Sequence, residues 1–472
     1  MEFKLDIPIF SKEFLNYPKI NLIKNNFLNY KISKIVLDTR TYTGNGGIFF
    51  ALKGKSFDAH KFIKNIINQI DYVVISNKKY IIKNFEKKFI IVDDTTLALD
   101  YLAYIYRSSF KKLKVIAVAG SNGKTTTKEL IKDLLSKKYK VVASKENQNN
   151  LFGVAYTLFN IKKDTEFCIV ELGISYSNEM DILGKTTRPD YVVITNIGKE
   201  HLEFLKDINN VFKEETKILK YLNSNGVAIL NKDDEFLRKI NFLKQQRWFS
   251  LYDSTADIFI KNSKFHKTFT KFTVILKEKG FLDNIEIKTK LLGRYNIYNI
   301  LSAILTVKTC ADINKEEIIA SIENFNPVAM RGERFKLNDN LIINESYNAN
   351  PDSMKETILE FQNIFSKEKK ILVLGDMLEL GVHSIKEHKN LKNYINEEKI
   401  KHIFLVGKYI KHLYKEINKK NNVSYYKTVN KKLIETLISL LNNNKNLVIL
   451  VKSSHGVGLW KLVEELKLKI KK

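Results

Sequence analysis

The feature that most constrains this chain is a buried strand that runs through a glycine-containing loop into a helix, over residues 113–138 (LKVIAVA, GSNGKTT, TKELIKDLLSKK). Apolar residues fill the strand, and Leu130, Ile131, Leu134 and Leu135 mark one apolar face of the helix. Glycines let the backbone fold around an anion, and a helix start adds N–H donors and a partial positive charge. The pattern therefore predicts a phosphate-binding loop.

The loop carries the groups that nucleotide phosphates need. Lys124 is expected to reach the β- and γ-phosphates of ATP, and Thr125 to place its hydroxyl on Mg²⁺. Val118 stands where the full G-x-x-x-x-G-K-[ST] pattern has glycine. The alternative is a glycine-rich turn with a solvated lysine, which the flanking strand and helix disfavour. We expect ATP to contact the whole loop, namely Gly120, Ser121, Asn122, Gly123, Lys124, Thr125 and Thr126.

The pattern of an apolar strand followed by a glycine loop recurs along the chain, which indicates an α/β protein with mostly parallel sheets. Apolar runs end in glycine loops at 166–173 and 190–198, and again at 369–375, 402–407 and 446–456. The length of 472 residues corresponds to about three domains of typical size. We predict a small N-terminal α/β domain over 1–112, a central P-loop domain over 113–326 and a C-terminal Rossmann-like domain over 327–472.

The charge balance bears on possible partners. Lysine and arginine number 79 against 52 acids, a net charge of +27. Only eight of these cations are arginines, and the lysines are dispersed. Proteins that bind the bases and phosphates of nucleic acids favour clustered arginines. We therefore interpret the excess of positive charge as a solvated lysine-rich surface and expect no nucleic-acid partner. A P-loop ATPase that acts on nucleic acid remains the alternative from a different functional class.

Cysteine usage and hydropathy bear on the compartment. The two cysteines, Cys168 and Cys310, lie in apolar surroundings and are expected to be buried free thiols. The N-terminus lacks a continuous apolar run, and no segment approaches the ~18 apolar residues of a membrane helix. We expect a cytoplasmic protein with no signal peptide and no membrane insertion.

Two further side chains follow strands at the edge where open α/β sheets bind ligands. Glu171 ends the strand FCIVE, and His201 follows the strand YVVIT and its loop. Glu171 is a candidate Mg²⁺ ligand because hard cations prefer oxygen. A second divalent ion is one role for His201, and a packing role is the equally open alternative.

Eleven ordered motifs carry a resemblance to a known family. They are DTR (38–40), GGIFFALKG (46–54), FDAH (57–60), GSNGKTT (120–126), ELG (171–173), TRPDYVVITNIGKEHLE (187–203), LGRYNIYN (292–299), MRGER (330–334), ESYNANPDSM (345–354), LGDMLELG (374–381) and LVKSSHG (450–456). Together they resemble the Mur ligase family, and specifically its MurF type, the subgroup that joins D-alanyl-D-alanine to UDP-N-acetylmuramoyl-tripeptide.

The resemblance implies a reaction in peptidoglycan synthesis. An ADP-forming ligase would phosphorylate the tripeptide carboxylate with Mg²⁺ and ATP, and the D-alanyl-D-alanine amine would attack the acyl phosphate. It implies that the first domain holds the UDP-sugar end, the central domain ATP, and the C-terminal domain closes over ATP. We expect a monomer. The alternative within the family is the ligase that adds the third amino acid to the UDP-muramoyl dipeptide.

The resemblance also implies roles for single residues. Lys124, Glu171 and His201 form the catalytic set, and Thr125, Glu171 and His201 hold metal. Asn296, Asn299, Arg331 and Glu345 contact ATP. The substrate contacts are Thr39, Arg40, Lys53, Gly54, Asn147, Asn149, Asn150, Asn348, Asn350 and Asp376.

Two positions depart from the family pattern. Glu215 stands near the place of a carbamylated lysine, with Lys213 and Lys217 two residues to either side. We hypothesise that the Glu215 carboxylate replaces the carbamate near the metal; the alternative is a charged helix face and a shifted register. Glu345 stands where an aspartate beside the ribose is usual.

Overall fold

Three β-sheets follow one another along the chain, each formed by a separate stretch of sequence. The structure is a computed structural model that describes residues 1–18, 20–22, 26–42, 44–54, 57–241, 245–278, 281–417 and 422–470. Most neighbouring strands are parallel, with antiparallel pairs at the sheet margins. The predicted α/β class with mostly parallel sheets is confirmed.

The first sheet has six strands in the order β1-β3-β4-β5-β6-β2. Its strands are β1 (Glu2–Phe10), β2 (Asn21–Leu22), β3 (Lys31–Val36), β4 (Ile48–Phe50), β5 (Tyr72–Ile75) and β6 (Phe89–Ile91). Two helices accompany it, α1 (Ser11–Phe14) and α2 (Thr95–Ser108). The three short parallel strands β4, β5 and β6 are buried over most of their length, as expected for strands covered on both faces.

The second sheet has nine strands in the order β15-β14-β13-β12-β11-β10-β7-β9-β8. They are β7 (Lys114–Ala119), β8 (Val141–Ala143), β9 (Phe167–Glu171), β10 (Tyr191–Ile194), β11 (Val227–Asn231), β12 (Gln246–Ser250), β13 (Ile258–Phe265), β14 (Thr270–Glu278) and β15 (Phe281–Thr289). Its helices are α3 (Lys124–Ser136), α4 (Leu151–Phe159), α5 (Glu179–Thr187), α6 (Leu202–Leu205), α7 (Ile208–Thr216), α8 (Arg294–Cys310) and α9 (Lys315–Asn324).

The register of the second sheet determines where its loops meet. Strand β7 lies between β9 and β10, with Val118 opposite Glu171 and Ala119 opposite Ile194. The carboxyl ends of the three strands are therefore level, so the loops that follow them emerge at one edge. Helix α3 packs its apolar face, Leu130, Ile131, Leu134 and Leu135, into the core of this sheet.

The third sheet has six strands in the order β16-β17-β21-β18-β19-β20. They are β16 (Glu333–Leu337), β17 (Asn340–Glu345), β18 (Lys369–Gly375), β19 (Ile400–Val406), β20 (Val423–Tyr426) and β21 (Leu447–Lys452). The helices are α10 (Pro351–Ile364), α11 (Ser384–Asn390), α12 (Lys411–Ile417), α13 (Lys431–Asn442) and α14 (Leu459–Ile470). Five strands are mutually parallel and β16 alone is antiparallel to its neighbour.

Both cysteines are free and buried. In the part of the chain that the structure describes, no helix is both long enough and apolar enough to cross a bilayer.

Helix α2 buries the carboxylate of Asp100. This residue is 3% exposed, and within the described part of the chain neither of its carboxylate oxygens has a hydrogen-bond partner. Burial, with a smaller contribution from the charge of Asp94, raises the pKa of Asp100 well above its usual value of 3.8. The folded protein therefore holds a proton on Asp100 at a pH at which the unfolded chain has released it.

This proton predicts a pH-dependent stability. The contribution of this protonated carboxyl to the unfolding free energy is complete below pH 3.8. Between pH 3.8 and the raised pKa it is lost at about 1.4 kcal/mol per pH unit. Asp100→Asn removes the titration, so we expect its melting temperature to rise relative to the wild type between pH 4 and pH 8. Asp312→Asn, an exposed carboxylate, is the control. Parallel pH profiles for wild type and Asp100→Asn would contradict the assignment.

Candidate active site

The loop between β7 and α3 has room for glycine only at two positions. Gly120 and Gly123 have φ angles of 107° and 84°, in the left-handed region. A Cβ on Gly120 would lie 2.5 Å from Thr195 Oγ1, and one on Gly123 would lie 2.2 Å from Asn299 Oδ1. The backbone therefore turns tightly from the strand into the helix, as the sequence predicts for a phosphate loop.

Thr125 and Glu171 meet directly beneath this loop. Thr125 Oγ1 donates to Glu171 Oε2 at 2.8 Å, and Asn149 Nδ2 donates to Glu171 Oε1 at 3.0 Å. Lys128 Nζ lies 3.7 Å from the same carboxylate, which is 1% exposed. A hydroxyl and a buried carboxylate beside a phosphate loop are the donors that Mg²⁺ takes together with phosphate oxygens and water. The donor set therefore fits Mg²⁺.

A second acidic group lies on the other side of Lys124. Lys124 Nζ is 3.7 Å from Glu200 Oε2, and the Gly120 amide donates to Glu215 Oε2 at 2.7 Å. Glu200 Oε1 and Glu215 Oε1 are buried, and neither has a hydrogen-bond partner among the residues that the structure describes. Burial raises the pKa of Glu215 to about 7, although the charge of Lys124 opposes the shift. Two buried carboxylate oxygens without partners suit a further cation at this point.

The helix that carries Glu215 separates it from the neighbouring lysines. Glu215 is fully buried against the phosphate loop, whereas Lys213 is exposed. Lys217 pairs with Glu214 at 2.7 Å and with Asp181 at 3.0 Å. The three side chains therefore leave α7 and its continuation in different directions, and Glu215 is the one that contacts the loop.

His201 lies at the start of α6 and is largely covered. Its Nδ1 is 2.5 Å from Glu379 Oε2 and its Nε2 is 3.7 Å from Glu200 Oε2. Burial lowers the pKa of the His201 imidazole, but the bond to Glu379 and the charges of Glu200 and Glu379 outweigh it, so that the net shift is upward. The ring thus connects the Glu200 side of the site with the third sheet.

One cavity of about 570 Å³ between the second and third sheets is lined by the loop from Ser121 to Thr126 and by Glu171, Glu200 and His201, whereas Glu215 is buried outside its lining. Its walls come from loops after β7, β9, β10 and β17, from α8 and from the start of α10. The predicted site residues that line it are Ser121, Asn122, Gly123, Lys124, Thr125, Thr126, Asn149, Asn150, Glu171, His201, Asn296, Asn299, Arg331, Glu345 and Asn348.

The residues of α8 and the third sheet that are predicted to contact ATP each make a side-chain contact at the cavity. Asn299 Nδ2 donates to Asn296 Oδ1 at 3.1 Å on α8. The Arg331 guanidinium lies 3.9 Å from the centre of the Tyr347 ring. Tyr295 donates to Glu345 Oε1 at 3.1 Å, and Lys452 Nζ is 3.6 Å from Glu345 Oε2. The longer glutamate at position 345 is thus already engaged by two side chains.

Three predicted substrate residues, Asn150, Asn350 and Asp376, make hydrogen bonds that stabilise the fold. Asn150 and Asn350 cap α4 and α10, and Asn350 Nδ2 also donates to Asn122 Oδ1 at 2.8 Å. The Asp376 carboxylate accepts the amides of Lys408, Tyr409 and Ile410, at 2.7–3.0 Å. Of the three, only Asn150 also lines the cavity, and Asp376 organises the loop after β19.

The remaining predicted residues lie on other loops. Thr39 and Arg40 follow β3, where Arg40 Nη2 is 2.7 Å from Asp38 Oδ2. The backbones of Lys53 and Asp58 form an isolated antiparallel β-bridge, and the Gly54 amide donates to Phe57 O at 2.7 Å. Asn147 O accepts the amide of Asn149 at 2.8 Å. These contacts shape loops of the first and second sheets.

Sequence reasoning did not single out three residues that the structure brings to the site. Glu200 precedes His201, and that neighbouring position was its only local signal. Lys452 ends the buried strand β21 at the carboxyl edge, a signal of the same kind as that of Glu171. Glu379 lies in the LGDMLELG motif but reaches His201 only because the third sheet packs on the second.

Comparison with known proteins identifies families and relatives that match most of the chain. Residues 118–307 match the Mur ligase middle domain, and residues 330–455 match the family described as Mur ligase, glutamate ligase domain. The UDP-N-acetylmuramoyl-tripeptide–D-alanyl-D-alanine ligase of Buchnera aphidicola is 33% identical over 96% of this chain and 98% of its own length. The Bacillus subtilis ligase of the same name is 31% identical over 92% and 93%.

Solved structures agree over the whole chain. A MurF structure from Acinetobacter baumannii superposes with a TM-score of 0.85 at 25% identity and covers 97% of this chain and 98% of its own. MurF from Thermotoga maritima, in complex with ADP, shares the fold with a TM-score of 0.80 at 23% identity, over 93% and 97%. The chain therefore belongs to the Mur ligase family, in the branch of the UDP-N-acetylmuramoyl-tripeptide–D-alanyl-D-alanine ligases.

Proposed function

We propose that this protein is an ADP-forming ligase that joins D-alanyl-D-alanine to UDP-N-acetylmuramoyl-tripeptide, giving the pentapeptide precursor of peptidoglycan. One observation carries the proposal. The phosphate loop, the Thr125–Glu171 pair and the carboxylates of Glu200 and Glu215 converge on Lys124 beside a cavity that two sheets enclose. Relatives of that name match nearly the whole chain, which supports the choice of substrates.

The chemistry requires an activated carboxylate. The terminal carboxylate of the tripeptide attacks the γ-phosphorus of ATP, ADP leaves, and an acyl phosphate forms. The amine nitrogen of D-alanyl-D-alanine then attacks the acyl carbon, loses a proton, and the tetrahedral intermediate expels phosphate. The carboxylate and the triphosphate are both negatively charged, so cations must lower the repulsion between them as they approach.

The chain's own residues supply this electrostatic environment. Lys124 presents a largely buried ammonium. The amides of Gly120, Ser121 and Asn122 are held by Glu215 and Asn196, so the amides at the start of α3 would face the phosphates. Thr125 and Glu171 would hold Mg²⁺, and His201 with Glu200 a second divalent ion. Bound Mg²⁺ supplies charge neutralisation at the phosphate oxygens. Arg331 and Lys452 bring positive charge from the third sheet to the same cavity.

The three sheets suggest a division of labour. Residues 1–112 would hold the UDP-sugar end through Thr39, Arg40, Lys53 and Gly54, with Asn147, Asn149 and Asn150 near the sugar phosphates. Residues 113–326 would bind ATP. Residues 327–472 would close over it through Arg331 and Glu345 and bind the incoming dipeptide near Asn348, Asn350 and the Asp376 loop. The enzyme would act as a cytoplasmic monomer.

Glu215 would take the place of a carbamylated lysine. Its carboxylate contacts the phosphate loop directly, which supports this role, while Lys213 is exposed and Lys217 is occupied by acidic partners. A glutamate carries the required negative charge without addition of carbon dioxide. The enzyme would therefore need no bicarbonate for activity.

The substrate assignment predicts a clear preference. We expect ADP release when ATP is mixed with UDP-muramoyl tripeptide and D-alanyl-D-alanine, and none when any of the three is left out. UDP-muramoyl dipeptide with single amino acids should give no turnover, and DNA or RNA should not stimulate ATP hydrolysis. Turnover with the dipeptide set alone would assign the chain to the ligase that adds the third amino acid.

The phosphate-loop role of Lys124 can be tested with a matched pair on α3. Lys124→Ala is expected to lower kcat by about 100-fold or more, because a buried cation aimed at the reacting phosphate is lost. Lys132→Ala, an exposed lysine of the same helix that pairs with Glu129, should stay within about twofold. Steady-state ADP release measures both. Ligation that survives Lys124→Ala would refute the role.

The Glu215 proposal predicts a contrast among three neighbours. Glu215→Ala is expected to lower kcat by about 10-fold or more, since a group that supports the metal and loop is removed. Lys213→Ala should remain within about twofold, and removal of bicarbonate should not change wild-type activity. Electron density or mass for a carbamate on Lys213 or Lys217 would contradict the proposal.

A further inference from the structure

One ion pair joins the reacting side of the second sheet to the third sheet. His201 begins α6, and Glu379 lies in the loop after β18. The imidazole Nδ1 is 2.5 Å from Glu379 Oε2, and the amide of Glu203 donates to Glu379 O at 2.9 Å. The side chain and the backbone of Glu379 thus both engage the same short helix.

Both partners adopt an uncommon backbone conformation. His201 has a φ angle of 50° and Glu379 one of 62°, in the left-handed region that residues other than glycine rarely occupy. Such conformations persist only where the surroundings hold them, and they concentrate at functional sites. Their meeting across the boundary between two sheets sets this pair apart from ordinary surface ion pairs.

The loop that presents Glu379 is fixed on both sides. Asp376 accepts three backbone amides after β19, which accounts for its buried carboxylate. The Met377 amide donates to His388 Nε2 at 2.9 Å, and Leu380 is buried. At Gly381 a Cβ would lie 2.9 Å from Glu203 Cα, so the loop approaches α6 as closely as a glycine allows. Glu379 is therefore held in place rather than free to follow the imidazole.

The two ring nitrogens of His201 face different partners. Nδ1 faces Glu379, and Nε2 faces Glu200, whose Oε2 is also 3.7 Å from Lys124 Nζ. A carboxylate that accepts the Nδ1 proton leaves the Nε2 lone pair turned toward the reaction site. The carboxylate comes from the third sheet, so the imidazole is oriented only when that sheet is docked.

We propose that Glu379 is a positioning residue for His201: its carboxylate fixes the Nδ1–H tautomer and the ring orientation, and so makes a competent imidazole conditional on docking of the C-terminal unit. This inference rests on the proposed ligase function for its kinetic consequence only. The tautomer itself is a property of the enzyme without substrates.

The chain offers a matched control at the same interface. Lys199 Nζ pairs with Glu387 at 2.9 Å and also joins the two units, but Glu387 has no contact with His201 among those described. Glu387→Ala therefore removes an inter-unit ion pair while it leaves the imidazole partner in place. A role in docking alone would affect both variants alike.

The direct test is the tautomer of His201. Full-length protein with ¹⁵N-labelled histidine is examined at a pH at which the ring is neutral, and the signal is assigned by its loss in His201→Asn. We expect the proton on Nδ1 in the wild type and in Glu387→Ala, and a shift to the Nε2–H form in Glu379→Ala. An unchanged tautomer in a folded Glu379→Ala, as judged by circular dichroism, overturns the proposal.

Kinetics provide the second readout. Glu379→Ala is expected to lower kcat by about 10- to 100-fold with KM for ATP within about threefold, and Glu379→Gln, which keeps an accepting oxygen, should lose less. Glu387→Ala should stay within about threefold in kcat. Equal losses in Glu379→Ala and Glu387→Ala would overturn the positioning role. A wild type that lacks ligase turnover contradicts the proposed function, while the tautomer result still decides this inference.

Discussion

The turn from β7 into α3 requires glycine at positions 120 and 123, because other side chains occupy the space that a Cβ would need there. Thr195 from the end of β10 and Asn299 from α8 occupy the volume that a Cβ would need at these two positions. The Gly120 amide is in turn held by Glu215 from α7. The loop is thus shaped by three distant segments, and each of them also contributes to the cavity wall or to its charge. A change in any of them is transmitted to the phosphate site through direct contact.

Charge balance at Lys124 explains why divalent cations belong in this site. Burial lowers the pKa of Lys124, but Glu200, Glu215 and Glu171 raise it more, so that the ammonium stays charged. Three carboxylates surround it, and the nucleotide adds further negative charge. One lysine cannot balance these groups in a region of low dielectric. Burial raises the pKa of Glu215, and the nearby charge of Glu200 adds to that shift. Cations at Thr125–Glu171 and beside Glu200 would restore the balance.

The parts that the sequence predicted well depend on local order along the chain. A strand, a glycine loop and a helix follow one another within 26 residues, so the phosphate loop could be inferred from local order alone. The position of Glu171 could be inferred because this residue ends an apolar strand. Glu215 could be proposed only by its distance from His201, and its burial came from the packing of α7. Asp376 was expected to contact the incoming dipeptide. Its carboxylate instead accepts backbone amides about 30 residues further along the chain, and no local pattern reveals this contact. Glu379 reaches the site because the third sheet docks on the second, and its own segment carries no sign of that contact. Lys452 reaches the site in the same way, and its only local signal is its place at the end of a buried strand.

Docking and ligand binding must influence each other because the cavity has walls from both units. A ligand that contacts Lys124 on one side and Arg331 on the other binds the docked arrangement better than a separated one, and docking must favour that ligand by the same factor. Polar contacts between the units include Asn350 to Asn122 and Lys199 to Asp352, and apolar side chains of both units also belong to one core cluster. The polar contacts are individually weak against water, so a ligand that spans the cavity adds a substantial share to the polar part of the docking energy. An imidazole that depends on a carboxylate across the same boundary would then make reaction, as well as binding, follow from docking.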